Sequence, residues 1–270
     1  MQIPKASLLL ATCMGTTINA SDILEVDLLF PRNETYAPTD RFPVVFAFQN
    51  SKLARYLNPQ ISYILWNDGN VTFSETHDLR GTNWTARDTY FAYNFVDLSK
   101  NEGHYAVTWT VTWVSCDEKA FENELPGAKM MYNSSTWGTG FTTQSSTSKP
   151  DLVAATANKT CPGEYGVLIN VTDKTMKVPR DVVWSDGDYT NRTCAVLAKS
   201  TPTSTPQPCR VHIDNTTVAS MEASSSARLC NSLNPPSDCP VHKKSAAQPL
   251  AVAGISCLLA TFGALGFFLV

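Results

Sequence analysis

The sequence predicts an all-β fold: an antiparallel, immunoglobulin-like β-sandwich, then a disulfide-rich, mainly β C-terminal part containing one short helix. Three observations carry that expectation. Apolar residues recur at every second position in several short runs, the period of a half-buried strand. Turn-forming residues separate those runs. Cysteines crowd the later half of the chain, as a disulfide framework would require.

The clearest run is YAVTWTVTW, residues 105–113. Tyr105, Val107, Trp109, Val111 and Trp113 share one face; His104, Ala106, Thr108, Thr110 and Thr112 share the other. A strand with one apolar and one hydroxylic face belongs in an antiparallel sheet packed on a core. The same alternation turns Phe42, Val44, Phe46 and Phe48 inward in FPVVFAFQ, and Phe91, Tyr93 and Phe95 in YFAYNFV. Further strands are expected at 23–30, 60–66 and 137–143, with NDGN at 67–70 as a turn. No amphipathic helical period precedes residue 215. Beyond the connector QSSTSKP, 144–150, the stretches GVLINVT, RTCAVLA and CRVHID read as strands. A helix is expected from about Thr216, with Val218, Met221 and Leu229 on one side. Residues 198–208, rich in Ser, Thr and Pro, read as an extended loop, and 117–124 as an exposed acidic loop. The expected parts are thus a sandwich over 21–143 and a cysteine-rich part over 151–240 packed on it.

Leu98, Asn101, Gly103 and Tyr105 have the spacing of a tyrosine corner, in which the phenol closes an immunoglobulin-like turn through a backbone hydrogen bond. Val107 stands where many such domains carry a core Cys.

The ends set an address. Residues 1–20 combine Lys5, an apolar stretch and the small Ala20, the pattern of a cleaved secretory signal. Residues 250–270 are uncharged and long enough for a membrane span of about 20 residues. Their basic pair, Lys243–Lys244, precedes the apolar segment, as in a glycosylphosphatidylinositol (GPI) signal. Cys13 leaves with the first segment and Cys257 with the second, so Cys116, Cys161, Cys194, Cys209, Cys230 and Cys239 remain for three disulfides. Attachment at Ser245 keeps all six, with 241–245 as stalk and 246–270 as propeptide; the alternative, Ser237, discards Cys239. Cys116 precedes the connector, so its partner is expected in the C-terminal half. The implied location is the outer face of the plasma membrane, held by the GPI lipid, with transfer to a cell wall as a further step.

Sequons for N-glycosylation occur at Asn33, Asn70, Asn83, Asn133, Asn158, Asn170, Asn191 and Asn215. Trp84 inside its sequon makes Asn83 the least favoured. A formal charge of −3 argues against nucleic acid as a partner, which calls for a concentrated basic face.

The chain carries few recognisable catalytic or metal-binding motifs. There is no G-x-S-x-G elbow or H-E-x-x-H helix, and His77, His104, His212 and His242 are scattered. Asp186, Asp188 and Asn191 cluster oxygen ligands of the kind calcium accepts, but a hairpin turn carrying solvated acids explains them, and no metal site is expected. No cofactor and no enzymatic activity are expected. Trp66, Trp84, Trp137 and Trp184 fall outside the clear inward registers; exposed rings there could stack on sugars, while ordinary core or loop packing accounts for each of them. Two functions follow: a non-catalytic surface or wall glycoprotein, structural or adhesive, or a carbohydrate-active protein that binds or cleaves a wall polysaccharide.

The stretches EVDLLFPRNETYAPTDRFPVVFAFQN and ARLCNSLNPPSDCP resemble a family of fungal secreted, often GPI-anchored proteins built on a domain of unknown function. The resemblance runs from about Leu24 to Pro240. It implies a fungal surface or wall location and carries no catalytic or binding residues.

Overall fold

The computed structural model describes residues 22–123, 129–157, 166–178, 182, 193–237 and 239. The strands are β1 (Ile23–Phe30), β2 (Thr35–Tyr36), β3 (Phe42–Gln49), β4 (Gln60–Asn67), β5 (Asn70–Asp78), β6 (Thr89–Val96), β7 (Gly103–Ser115), β8 (Met131–Thr143), β9 (Gly166–Lys177) and β10 (Thr193–Leu197). The helices are α1 (Glu118–Glu122), α2 (Leu152–Ala157) and α3 (Asn215–Cys230). The signal segment, Ser245 and the apolar C-terminal segment lie outside the described residues, as do Asn158, Cys161, Trp184, Asp186, Asp188, Asn191 and His242. Among the described residues no helix is long and apolar enough to cross a membrane.

The fold is mainly β, with two five-stranded sheets: β10-β9-β1-β3-β6 and β2-β8-β7-β4-β5. Their inner faces meet in an aromatic core. Phe46 of the first sheet lies 5.5 Å from Trp109 and 5.6 Å from Tyr63 of the second, and Phe42 stacks on Phe141 at 4.9 Å. Trp109 is 1 % exposed, with Tyr105, Val107 and Val111 buried beside it. Trp113 departs from the expected burial: it is half-buried, with its indole nitrogen enclosed and unpartnered. Near that point β7 leaves the inter-sheet core, and Val114 and Cys116 join a second cluster with Phe121, Cys194 and Val196.

The two-residue β2 joins the second sheet after a short crossover from β1 and lies parallel to the end of β8. Several expectations are corrected. The inward register of β6 is reversed. Val96 pairs with Phe42 and Ala92 with Phe46, so the even residues share β3's inner face, while Phe91, Tyr93 and Phe95 face outward. Their aromatic character is no guide because that outer side is also covered. β3 is accordingly buried on both faces. Leu152 of α2, Val211, Ile213 and Met221 of α3 share one core cluster with Val45 and Ala47. CRVHID is not a strand; Pro208–Arg210 form a 3-10 turn that leads into extended chain. The acidic loop contains a single-turn helix, α1, capped by Asp117, whose carboxylate accepts from Ala120 N at 3.1 Å. Among the described residues of the C-terminal part, the expected helix is the 16-residue α3, and a six-residue helix, α2, precedes it. On α3 the buried positions are Met221 and Ser225, while Leu229 is exposed.

β9 pairs with β1, and β10 with β9, so the chain after the connector extends the first sheet instead of building a sheet of its own. Residues through Ser225 form one compact unit, and the chain from Ser226 a second. Cys116–Cys194 ties β7 to β10 within the first. Cys230–Cys239 closes a short loop in the second. Cys209 is also disulfide-bonded.

Local signals explain the joints. Asp68 and Gly69 both take positive φ, 46° and 82°, as a two-residue hairpin between Asn67 and Asn70 requires. Tyr105 donates its hydroxyl hydrogen to Asn101 O at 3.3 Å, over a buried Leu98. That is the corner the spacing predicted.

Candidate functional site

β6 is the edge strand of the first sheet, and its outward Phe91 and Tyr93 are half-buried. The loop 79–88 on one side and the first turns of α3 on the other convert this edge into a groove of about 470 Å³. The loop is held by Trp84, 3 % exposed, whose ring packs 5.3 Å from Phe48 and 5.0 Å from Tyr90. Ser51 adds two hydrogen bonds, donating to Arg87 O at 2.7 Å and Trp84 O at 3.3 Å. The helix is held by Asp214, which accepts from Thr217 N at 2.7 Å and Thr216 Oγ at 2.8 Å in an N-cap. Those bonds favour the carboxylate and pull Asp214 down to about 2.

The groove therefore presents aromatic surface, the hydroxyls of Thr82, Thr89, Thr217 and Ser220, and one cation, Arg87; its lining contains no Asp or Glu. Such a lining suits a ligand that carries both apolar and hydrogen-bonding surface and no positive charge.

The outer face of the second sheet is a different surface. Ser62, Ile64 and Trp66 of β4 continue across Thr108, Thr110 and Thr136 of β7 and β8. The hydroxyls are cross-linked: Ser62 to Thr76 at 3.0 Å, and Thr110 to Thr136 at 2.8 Å.

A third feature was not legible in the sequence. Glu25 and Asp27 alternate with Leu24, Val26 and Leu28 as if facing solvent, yet they are 2 % and 0 % exposed. The segment 206–210 covers them. Glu25 pairs with Arg210 and accepts from Gln207 N. Asp27 accepts from Gln49 Nε2 at 2.8 Å through Oδ2, while Oδ1 is buried without a partner. Burial, and next the Glu25 charge, push Asp27 up to about 8. A Cβ on Gly166 would collide with Asp27 Oδ1 and come within 2.6 Å of Pro206. The pair is sealed, with no room for a substrate.

The remaining predicted positions are dispersed. Asn33, Asn70, Asn83 and Asn215 are exposed; Asn133 and Asn170 are half-buried. Asn133 Nδ2 donates to Met131 O at 3.3 Å, and Asn170 Nδ2 to Ser200 O at 3.3 Å. Ser237 is exposed. Of the four tryptophans, Trp84 is packed in the core and offers no ring to a sugar. Trp66 is half-buried, and Trp137 is 37 % exposed. His77 stacks on Tyr63 at 6.0 Å, His104 meets Thr142 at 3.1 Å, and His212 meets Thr156 O at 2.7 Å. Among the described residues no three His, Cys, Asp or Glu side chains gather where they could hold a metal ion.

Fold and surfaces together define a disulfide-bonded, mainly β protein of two sheets, with a groove along one sheet edge and a hydroxylic face on the other sheet. The chain belongs to the DUF7136 family, a domain of unknown function, whose model matches residues 19–239. No curated protein and no solved structure matches it.

Proposed function

We propose that this protein is a non-catalytic, GPI-anchored and N-glycosylated surface glycoprotein of a fungal cell, structural or adhesive at the membrane or wall. The observation that carries the reading is the pairing of two disulfides with four exposed sequon asparagines, the outfit of a domain that matures in an oxidising, glycosylating compartment. An immunoglobulin-like topology is part of the reading. It is supported by the tyrosine corner and by the placement of β7 beside β4 and β8 in the sheet opposite β1, β3 and β6.

Enzymatic removal of N-glycans should lower the apparent mass by several glycans, and a phosphatidylinositol-specific phospholipase should release the protein from membranes. Recovery of a peptide spanning Leu258 to Val270 from the mature protein would refute the anchor. Ser245→Pro should block attachment there; unchanged surface display would move it to Ser237.

A second reading, a carbohydrate-active protein, is favoured by the hydroxylic outer face bearing Trp66. Uncharged hydroxyl rows and an indole suit a polysaccharide chain. A glycan array with the soluble ectodomain tests it: binding lost in Trp66→Ala supports the reading, and cleavage of a bound glycan would make the protein a hydrolase.

A further inference from the structure

We infer that the groove between β6 and α3 is the seat of the protein's own N-glycan, attached at Asn83. The inference rests on the glycoprotein reading and goes beyond it by naming one site and the surface that the sugar occupies.

Three features of Asn83 converge. It is exposed and itself lines the groove. Trp84, the residue that made its sequon the least favoured, turns into the core against Phe48 and Tyr90, so it leaves the approach to Asn83 open. The Asn83 amide is held by its oxygen: Oδ1 accepts from Thr85 Oγ at 2.8 Å and from Thr85 N at 3.2 Å. Nδ2, the atom that carries an N-linked sugar, has no hydrogen-bond partner among the described residues. Asn133 and Asn170 contrast with this, since their Nδ2 atoms are engaged by the protein.

The groove's chemistry matches the attached group. The core of an N-linked glycan is N-acetylhexosamine, which has apolar ring faces, an acetamide and hydroxyls, and no charge. Half-buried Phe91 and Tyr93 offer apolar surface, while Thr89, Thr217 and Ser220 offer hydrogen bonds. The tether makes docking intramolecular. A short link sustains an effective concentration of order mM, which a free ligand of the same chemistry must exceed. The loop that bears Asn83 is pinned by Trp84 and Ser51, so little ordering is needed on docking. The glycan thereby bridges β6 to the first turns of α3 and holds the helix on the sheet.

The test uses the full chain secreted from a glycosylating host. Mass spectrometry reads occupancy at each sequon, and amide hydrogen exchange reads residues 89–93 and 215–221. Thr85→Ala removes the sequon, Thr85→Ser keeps it, and Thr72→Ala removes the one at Asn70. The proposal expects Asn83 to be occupied and exchange in both segments to rise several-fold in Thr85→Ala. Thr85→Ser and Thr72→Ala should match wild type, and enzymatic deglycosylation of the wild type should reproduce the Thr85→Ala result. If Thr85→Ala raises exchange but deglycosylated wild type does not, the hydroxyl and not the sugar is responsible, and the inference fails. It also fails if both leave exchange unchanged, or if a free polysaccharide binds the glycosylated protein in a Tyr93-dependent way. An empty Asn83 with Asn33 or Asn70 occupied overturns the inference and leaves the glycoprotein reading standing; no occupied sequon at all overturns both.

Discussion

Asp27 illustrates how one buried carboxyl couples this fold to pH. Its folded pKa, about 8, lies above the ordinary carboxylate value of 3.8, so the folded state holds a proton that the unfolded chain gives up. The stabilisation is therefore complete below the unfolded value and is lost as pH rises through about 8. Within that window the slope from one such group approaches about 1.4 kcal/mol per pH unit. Melting temperatures should fall steadily from acidic to mildly alkaline pH. Asp27→Asn, neutral at every pH and of the same shape, should flatten the profile; an equally steep profile in the variant would assign the slope to other groups. Trp109 makes the complementary case at the same scale. It is enclosed by both sheets, and Trp109→Ala should cost about 3–5 kcal/mol, read as a large drop in melting temperature. Thr110→Ala, on the outer face, gives up only a solvent-exposed bond to Thr136 and should shift stability by about 0.5 kcal/mol or less.

At the scale of elements, alternation placed most strands but could not always say which face is inner. β1 has the expected limits, and Val167, Ile169 and Val171 of β9 are buried as their register requires. β6 failed that logic because both of its faces are covered: its larger side chains sit under loop and helix, and its smaller ones face the opposing sheet. β1 failed it in another way, since its acids point into a covered layer. α1 went unrecognised because a single capped turn has too little length to display a period. The tyrosine corner was legible because its signal is local, four residues within eight positions. Tyr105→Phe removes one hydroxyl bond to Asn101 O and should cost about 0.5–1.5 kcal/mol while the fold persists. Chemical denaturation would detect that loss; no change would mean that water replaces the carbonyl as the hydroxyl's partner.

At the scale of the whole molecule, disulfides join what the sheets have already brought together. Cys116–Cys194 spans 78 residues, and a loop of that length corresponds to roughly 4.5 kcal/mol in the chain-entropy account. Replacing both cysteines with Ser should lower stability by about 2–4 kcal/mol and loosen β10 first. Non-reducing peptide mapping should recover Cys116–Cys194 and Cys230–Cys239. A free thiol at any of these four would contradict the pairing.

By itself the sequence determined the mainly β character, most strand positions, the hairpin at 67–70, the corner at Tyr105 and the crossing of a disulfide from the first half to the second. These depend on local periodicity, turn chemistry and cysteine parity, which neighbouring residues or a simple count express. Only the tertiary structure decided that β9 and β10 extend the first sheet, that α2, α3 and 211–213 cover its outer face, that Glu25 and Asp27 are enclosed, and that Asn83 stands beside Phe91 and Tyr93. Each of these depends on which distant segment lies over a given face, and period-two alternation reads the same whether a face meets water or another layer of chain.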